Sequence, residues 1–286
     1  MMWLLYSLLS AFFDSIRLAF SKKVMKELDE YTLLFVFVVF PVPVFLVLML
    51  YNGIPVIDPY FWIVVAVHSF IVVIANLLYL KAIKHSPLSL VAPFLMFTPL
   101  FLLATSPIML GEFPTFYGLI GILFVVSGAY VISIKEKDSI FKPIVNIMHE
   151  RGILFALIVA FLFSISSNMD KLAITYSDVY SYLFTSHVLT TLLVIPLFVL
   201  KSHGLADKII RYKKQLTLIG FALALSVVFQ MIAVTMAIVP YVMSVKRTSA
   251  LFSIGLGYFM FHETKIRQRM FGAVFMLAGV LFIGLG

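Results

Sequence analysis

Lys246 and Arg247 stand side by side in Ser244–Glu263, a run otherwise apolar enough to span a bilayer. A Lys or Arg deep in a membrane helix costs roughly 2.5–3.5 kcal/mol on insertion scales, so such a residue is rarely idle. Helical spacing puts Ser249, Ser253 and Gly257 on the Lys246 side and turns Leu251, Phe252, Leu256 and Phe259 elsewhere. The resulting face is small, polar and cationic, and it suits an anion. Arg247 can fork to two oxygens while Lys246 acts as a point charge. The competing reading is an end-of-helix pair that snorkels to headgroups or is neutralised by an internal acid. Acids within the apolar runs are few: Asp14 and Asp170 face Arg17, Lys22, Lys171, Lys246 and Arg247. That count leaves positive charge without a protein partner, and desolvated charge needs one.

Other polar residues recur at helical spacing. Ser164, Ser167, Asn168 and Lys171 share one face, as do Asp14, Arg17, Leu18 and Ser21. Asn76, Tyr79 and His68 lie along the third apolar run, and Gln230 and Thr235 along the eighth. Each can line a cavity or bond between helices. Asp14 and Arg17, one turn apart, can also pair with each other. His187 and Asp14 are the candidates for binding a coupled proton. Lys22 and Lys171 read either as cavity groups or as helix-end lysines. Glu112 and Glu263, at turns, suit the positive end of the helices that follow them.

These residues need helices to hold them. The chain has 286 residues, 63% hydrophobic and 12% charged, with mean hydropathy +1.11. Soluble domains run nearer 45–50% apolar and about 25% charged, so this is a polytopic membrane protein. Its net charge of +8 sits in loops, where it sets orientation, and does not point to nucleic acid. Absence of cysteine removes disulfides, zinc clusters and thiol chemistry. No Walker loop, HExxH, GxSxG or metal-binding carboxylate cluster is present, so no catalytic residue, cofactor or metal is expected. The N-terminus reads as a first span, not a cleaved signal.

The pattern predicts an all-α protein of ten spans: 3–22, 31–51, 60–83, 88–110, 115–134, 152–174, 179–200, 214–238, 241–261 and 267–285. Its halves repeat. Gly111-Glu112 matches His262-Glu263, Gly121 falls on Gly272 and Gly128 on Gly279. Ala11 pairs with Ala160, Ser15 with Ser164 and Lys22 with Lys171, and Lys81–Ser89 lies against Met236–Ser244. This gives a first five-helix repeat at 1–137, a linker at 138–150 and a second repeat at 151–286. Five is odd, so the second copy enters from the opposite side. Lys and Arg crowd the connections after spans 1, 3, 5, 7 and 9, whereas Leu50–Pro59 and Leu110–Gly118 have none. The basic set should face the cytoplasm, which puts both termini outside the cell membrane.

Two inverted five-helix repeats, with Glu112 and Glu263 at matching boundaries and glycines after them, resemble the EamA-like proteins of the drug/metabolite transporter superfamily. The fragment Val245-Lys246-Arg247-Thr248 followed by Phe252-Ser253 is similar to the sugar-phosphate and nucleotide-sugar branch. The resemblance implies a secondary transporter, and for the pair a phosphate contact. Familiar members keep both termini cytoplasmic, the reverse of the charge count here.

The expectation is alternating access to a mid-bilayer cavity, with a small, anionic substrate, phosphorylated or carboxylated. Lys246, Arg247, Ser249, Ser253, Asn76, Tyr79, Gln230, Asn168 and Lys171 are the expected substrate contacts. The alternatives are an exporter of amino acids or hydrophobic drugs, in which the pair is structural, and a flippase for a lipid-linked phosphate. Partners are the substrate and the lipid bilayer, with the oligomeric state open.

Overall fold

The computed structural model describes residues 1–24, 28, 30–86, 88–134, 150–201, 205–261 and 267–285. The expected linker falls outside them except for Glu150, and Glu263 lies outside as well. Thirteen helices appear among the described residues: α1 (Met2–Val24), α2 (Glu30–Val39), α3 (Val42–Asn52), α4 (Pro59–His85), α5 (Leu88–Leu95), α6 (Thr98–Leu110), α7 (Phe116–Ser133), α8 (Arg151–Thr175), α9 (Val179–Lys201), α10 (Leu205–Met236), α11 (Val239–Lys246), α12 (Ser249–Phe261) and α13 (Arg267–Leu285). Eight segments, from Met2–Ser21 to Ile209–Met236, are long and apolar enough to cross a bilayer; Phe271–Leu285 is a shorter apolar helix. The expected second, fourth and ninth spans are each broken in two. Pro41 and Pro43 interrupt the second, because proline has no N–H to give and its ring crowds the preceding turn.

Two of the breaks are equivalent. A single shift of 151 residues carries Leu88–Leu95 onto Val239–Lys246, Thr98–Leu110 onto Ser249–Phe261 and Phe116 onto Arg267. It also carries His85 onto Met236, the last residues of α4 and α10. The pairing of Lys81–Ser89 with Met236–Ser244 is thereby corrected by one helical turn, since helix ends fix the register and a shared Ala-Ile does not. Under the corrected register Tyr79 corresponds to Gln230.

Side-chain-free contact shows how the halves meet. A Cβ on Gly121 would lie 2.6 Å from the Gly279 carbonyl oxygen and a Cβ on Gly128 2.4 Å from that of Gly272. The reciprocal distances are 2.6 Å from Gly279 to Gly121 and 2.7 Å from Gly272 to Gly128. Gly121 corresponds to Gly272 and Gly128 to Gly279, so each contact is the other with the halves exchanged. The early part of α7 meets the late part of α13, so equivalent helices cross antiparallel, as an axis in the membrane plane requires.

The other helices obey the same exchange. α1 packs on α10 as α8 packs on α4, and α1 on α12 as α8 on α6. Phe12 meets Phe252 edge-on at 5.6 Å, and Phe161 meets Phe101 likewise at 5.6 Å. Phe12 and Phe161 stand in the register that pairs Ser15 with Ser164.

Candidate functional site

At each break the chain tightens into bonds three residues long. At the first, Met96 and Phe97 donate to the Pro93 and Phe94 carbonyls, and Pro99 cannot donate at all. At the second, the Arg247 and Thr248 amides donate to Ser244 and Val245 at 3.0 and 2.9 Å. No proline sits at that break. The Ser244 hydroxyl instead bonds the Pro240 carbonyl at 2.6 Å and the Thr248 hydroxyl the Val245 carbonyl at 2.7 Å, a local competition that bends helices. The continuous helix expected over 241–261 is therefore two. Lys246 ends α11, Ser249 opens α12, and Arg247 occupies the corner.

α1 packs against α10, α11 and α12, and this brings its polar face to the corner. Asp14 accepts from Arg17 Nε at 2.9 Å and lies 2.7 Å from Nη2. Arg17 also caps the Phe37 ring, 5.0 Å from its centroid. Lys246 Nζ donates to Gln230 Oε1, while Gln230 Nε2 donates to Met243 Sδ at 3.4 Å. The Asp14 carboxylate is within electrostatic reach of Lys246 and Arg247, and Ser249 faces it. Among the described residues, Arg247 Nε is buried without a hydrogen-bond partner, and so is Ser253 Oγ. Three cations thus face Asp14, which already holds Arg17, and Asp170 is a further carboxylate in electrostatic reach of Lys246. Tyr79 is half-buried and within reach of Arg17.

Other residues expected at the site have partners within the protein. Asn76 donates to the Val72 carbonyl of its own helix at 2.8 Å. Asn168 is fully buried, accepting from Ser106 at 2.6 Å and donating to Thr105 at 3.0 Å. Both bonds join α8 to α6. His187 bonds the Leu183 carbonyl at 3.0 Å through Nδ1, and its ring lies 4.7 Å from that of Phe45. Lys171 is paired with Glu112 and also donates to the Ala237 carbonyl at 2.8 Å.

Glu112 corrects another expectation. Gly111, at φ 67°, ends α6 in the left-handed region that favours glycine and turns Glu112 inward. The carboxylate then accepts the Val239 amide at 2.7 Å, at the first turn of α11. It caps a helix of the other half, not α7, whose N-cap is Thr115 accepting from Gly118 at 3.1 Å. The reason is supply: Thr115 already serves α7, whereas α11 has no side-chain cap of its own at Ile238.

A cavity of about 390 Å³ lies beside the corner, between α1, α12 and α13. Thr248 is its polar edge; Leu8, Phe252 and Leu277 are among its apolar walls, and Leu277 is exposed.

The profile of the EamA-like transporter family matches residues 1–134 and again 150–285. The chain belongs to the EamA-like transporter family. That makes it a membrane transporter of the drug/metabolite class, acting on small molecules. A solved structure described only as the crystal structure of a protein is similar over 99% of this chain and 96% of its own, with TM-score 0.77 at 13% identity. At that identity the likeness is one of fold alone. No curated protein matches the chain.

Sequence reasoning missed one cluster. His68 and Asp170, noticed singly, come together with Tyr182 where α4, α8 and α9 meet. Their pairing has no local signal, because the partners lie on different halves. An ionisable residue in each of two apolar runs was the available hint.

Proposed function

We propose that this EamA-like protein carries an anionic small metabolite, phosphorylated or carboxylated, by alternating access, and that Lys246 and Arg247 hold its acidic group. The observation that carries the reading is the charge balance at the corner. Asp14 is engaged by Arg17, while Arg247 Nε is buried with no acceptor among the described residues. A buried guanidinium donor without a partner is costly, and a phosphate or carboxylate oxygen would satisfy it. Gln230 and Ser249 belong to the same site, Gln230 by holding Lys246 and Ser249 as a hydroxyl for the ligand. The breaks at Met96–Phe97 and Arg247–Thr248 are the joints about which the half-helices would turn.

Thermal shift of the purified protein with glycerol phosphate tests this. Wild type should be stabilised, and Lys246→Ala and Arg247→Ala should lose the effect. Equal stabilisation of all three assigns the pair to structure and favours the exporter of uncharged compounds.

A second reading is favoured by the cavity beside Thr248: an amphiphile, such as a lipid-linked phosphate, with its acidic head on the pair and its chain in the groove. Dodecyl phosphate should then stabilise the protein far more than glycerol phosphate, and Ala273→Trp should abolish the difference by filling the groove.

We also infer that both termini face out of the cell, from the basic connections. The chain has no cysteine, so a single cysteine at Met1 or Gly286 would be the sole target of an impermeant maleimide on intact cells. Labelling only after permeabilisation would reverse the orientation.

A further inference from the structure

Three titratable side chains meet in the interior, apart from the cation corner. His68 Nε2 lies 2.9 Å from Asp170 Oδ1. The Tyr182 hydroxyl donates to the same oxygen and lies 3.3 Å from the imidazole nitrogen. Exposure is 7% for His68, 7% for Asp170 and 1% for Tyr182. Among the described residues, His68 Nδ1 is buried without a hydrogen-bond partner. We infer that His68, Asp170 and Tyr182 form a buried proton-binding site, and that its loading decides how firmly the two halves close on each other.

The chemistry follows from the donors. Asp170 Oδ1 accepts from Tyr182, so the proton between it and His68 sits on Nε2. In the neutral imidazole Nδ1 is then a bare lone pair, and the three side chains together carry one negative charge, with Lys246 of α11 in electrostatic reach. A proton added at Nδ1 makes an imidazolium opposite the carboxylate, and the cluster becomes neutral overall. An isolated buried charge costs far more than one unpaired N–H, so the loaded form is the one that tolerates a dry, closed interface. Losing the proton favours opening, which rehydrates Asp170.

The site is placed to act on the halves. His68 belongs to α4 in the first half; Asp170 and Tyr182 belong to α8 and α9 in the second. Its neighbours are otherwise engaged. From α9, His187 is held by the Leu183 carbonyl and Ser186 faces the same region; from α4, Ser69 donates to the Ser186 carbonyl at 3.4 Å. On α8, Lys171 is taken by Glu112. Lys246 on α11 and His187 on α9 are also within electrostatic reach of Asp170. The mirror position is more apolar: Val24, Leu33, Val36, Leu216 and Ile219 of α1, α2 and α10 meet there, with Tyr212 packed against them. The site rests on the reading that the halves move, not on the anion site.

Histidine nitrogen-15 spectra of the full chain in nanodiscs test it, from about pH 5 to about pH 9. The chain has six histidines, and His68→Gln identifies the resonance. The His68 ring should gain a proton at Nδ1 within that range. Asp170→Asn should alter this response, with a smaller change in Tyr182→Phe. Closure is read by maleimide labelling of Ser186→Cys, with and without His68→Gln; the ratio removes the thiol's own ionisation. Labelling should slow on acidification only where His68 is present. A His68 that keeps one protonation state throughout overturns the proton site, and an unchanged labelling ratio overturns its control of closure. Lys246→Gln should abolish stabilisation by glycerol phosphate yet leave the His68 titration in place, so the two sites fail separately.

Discussion

The breaks at Met96–Phe97 and Arg247–Thr248 occupy the same place in the two halves and do different things. Their flanking helices superpose residue for residue in length, eight before and thirteen after. The first is made by prolines and lined by Leu95 and Met96; the second is made by hydroxyls and lined by Lys246 and Arg247. Around the second stand Asp14 and Gln230, whose counterparts around the first are Phe163 and Tyr79. The duplicated frame fixes where a helix may be interrupted, and the side chains decide whether the interruption can hold charge. The proton cluster repeats the lesson, with His68 answered by Ile219 in an apolar core.

Four changes test this division between shared frame and unshared chemistry. The largest effect belongs to the frame. Gly128→Leu would drive a side chain into the Gly272 carbonyl, and no folded protein should be recovered by size exclusion. Gly255→Leu, where a Cβ would meet nothing within 4 Å, should behave as wild type. Next comes Asp14→Asn, which strips the corner of the carboxylate that holds Arg17. It should cost about 3–5 kcal/mol in thermal unfolding, partly restored by added organic phosphate. Third, Lys246→Leu with Arg247→Met imitates the first break and should weaken glycerol phosphate binding about a hundredfold, roughly 2.7 kcal/mol. Adding Leu95→Lys and Met96→Arg should not restore it, because Tyr79 and Phe163 replace the groups that hold Lys246 and balance the pair. Recovery of binding in that quadruple variant would falsify the asymmetry. The smallest effect is Thr115→Ala, which removes the α7 cap and the contact to the Tyr241 hydroxyl, 3.1 Å away, at about 1 kcal/mol.

Much of the frame was legible because it is written in small residues. Backbones that touch tolerate only glycine, so Gly121, Gly128, Gly272 and Gly279 had to repeat, and their register could be read. The cations were legible because Lys and Arg are rare in apolar runs. The corner between them was not, since a helix bent by Ser244 and Thr248 carries no proline to announce it. Nor was the destination of Glu112: Lys171 and Val239 lie 59 and 127 residues away. Asp14 with Arg17 could be anticipated from one-turn spacing, whereas Gln230 with Lys246 depends on how α10 meets α11.

The glycine crossing of α7 and α13 has a mechanical corollary. Two backbones in contact at four glycines, with Val125, Ile132, Met276 and Ile283 packed against those same glycines, have no slack to take up sliding. A displacement of one residue would press a Cβ against a carbonyl on both strands of the seam at once. The proposed swing would therefore pivot on that seam, with the fifth- and tenth-span helices as the spindle and the helices carrying Asp14, His68, Asp170 and Gln230 as the vanes.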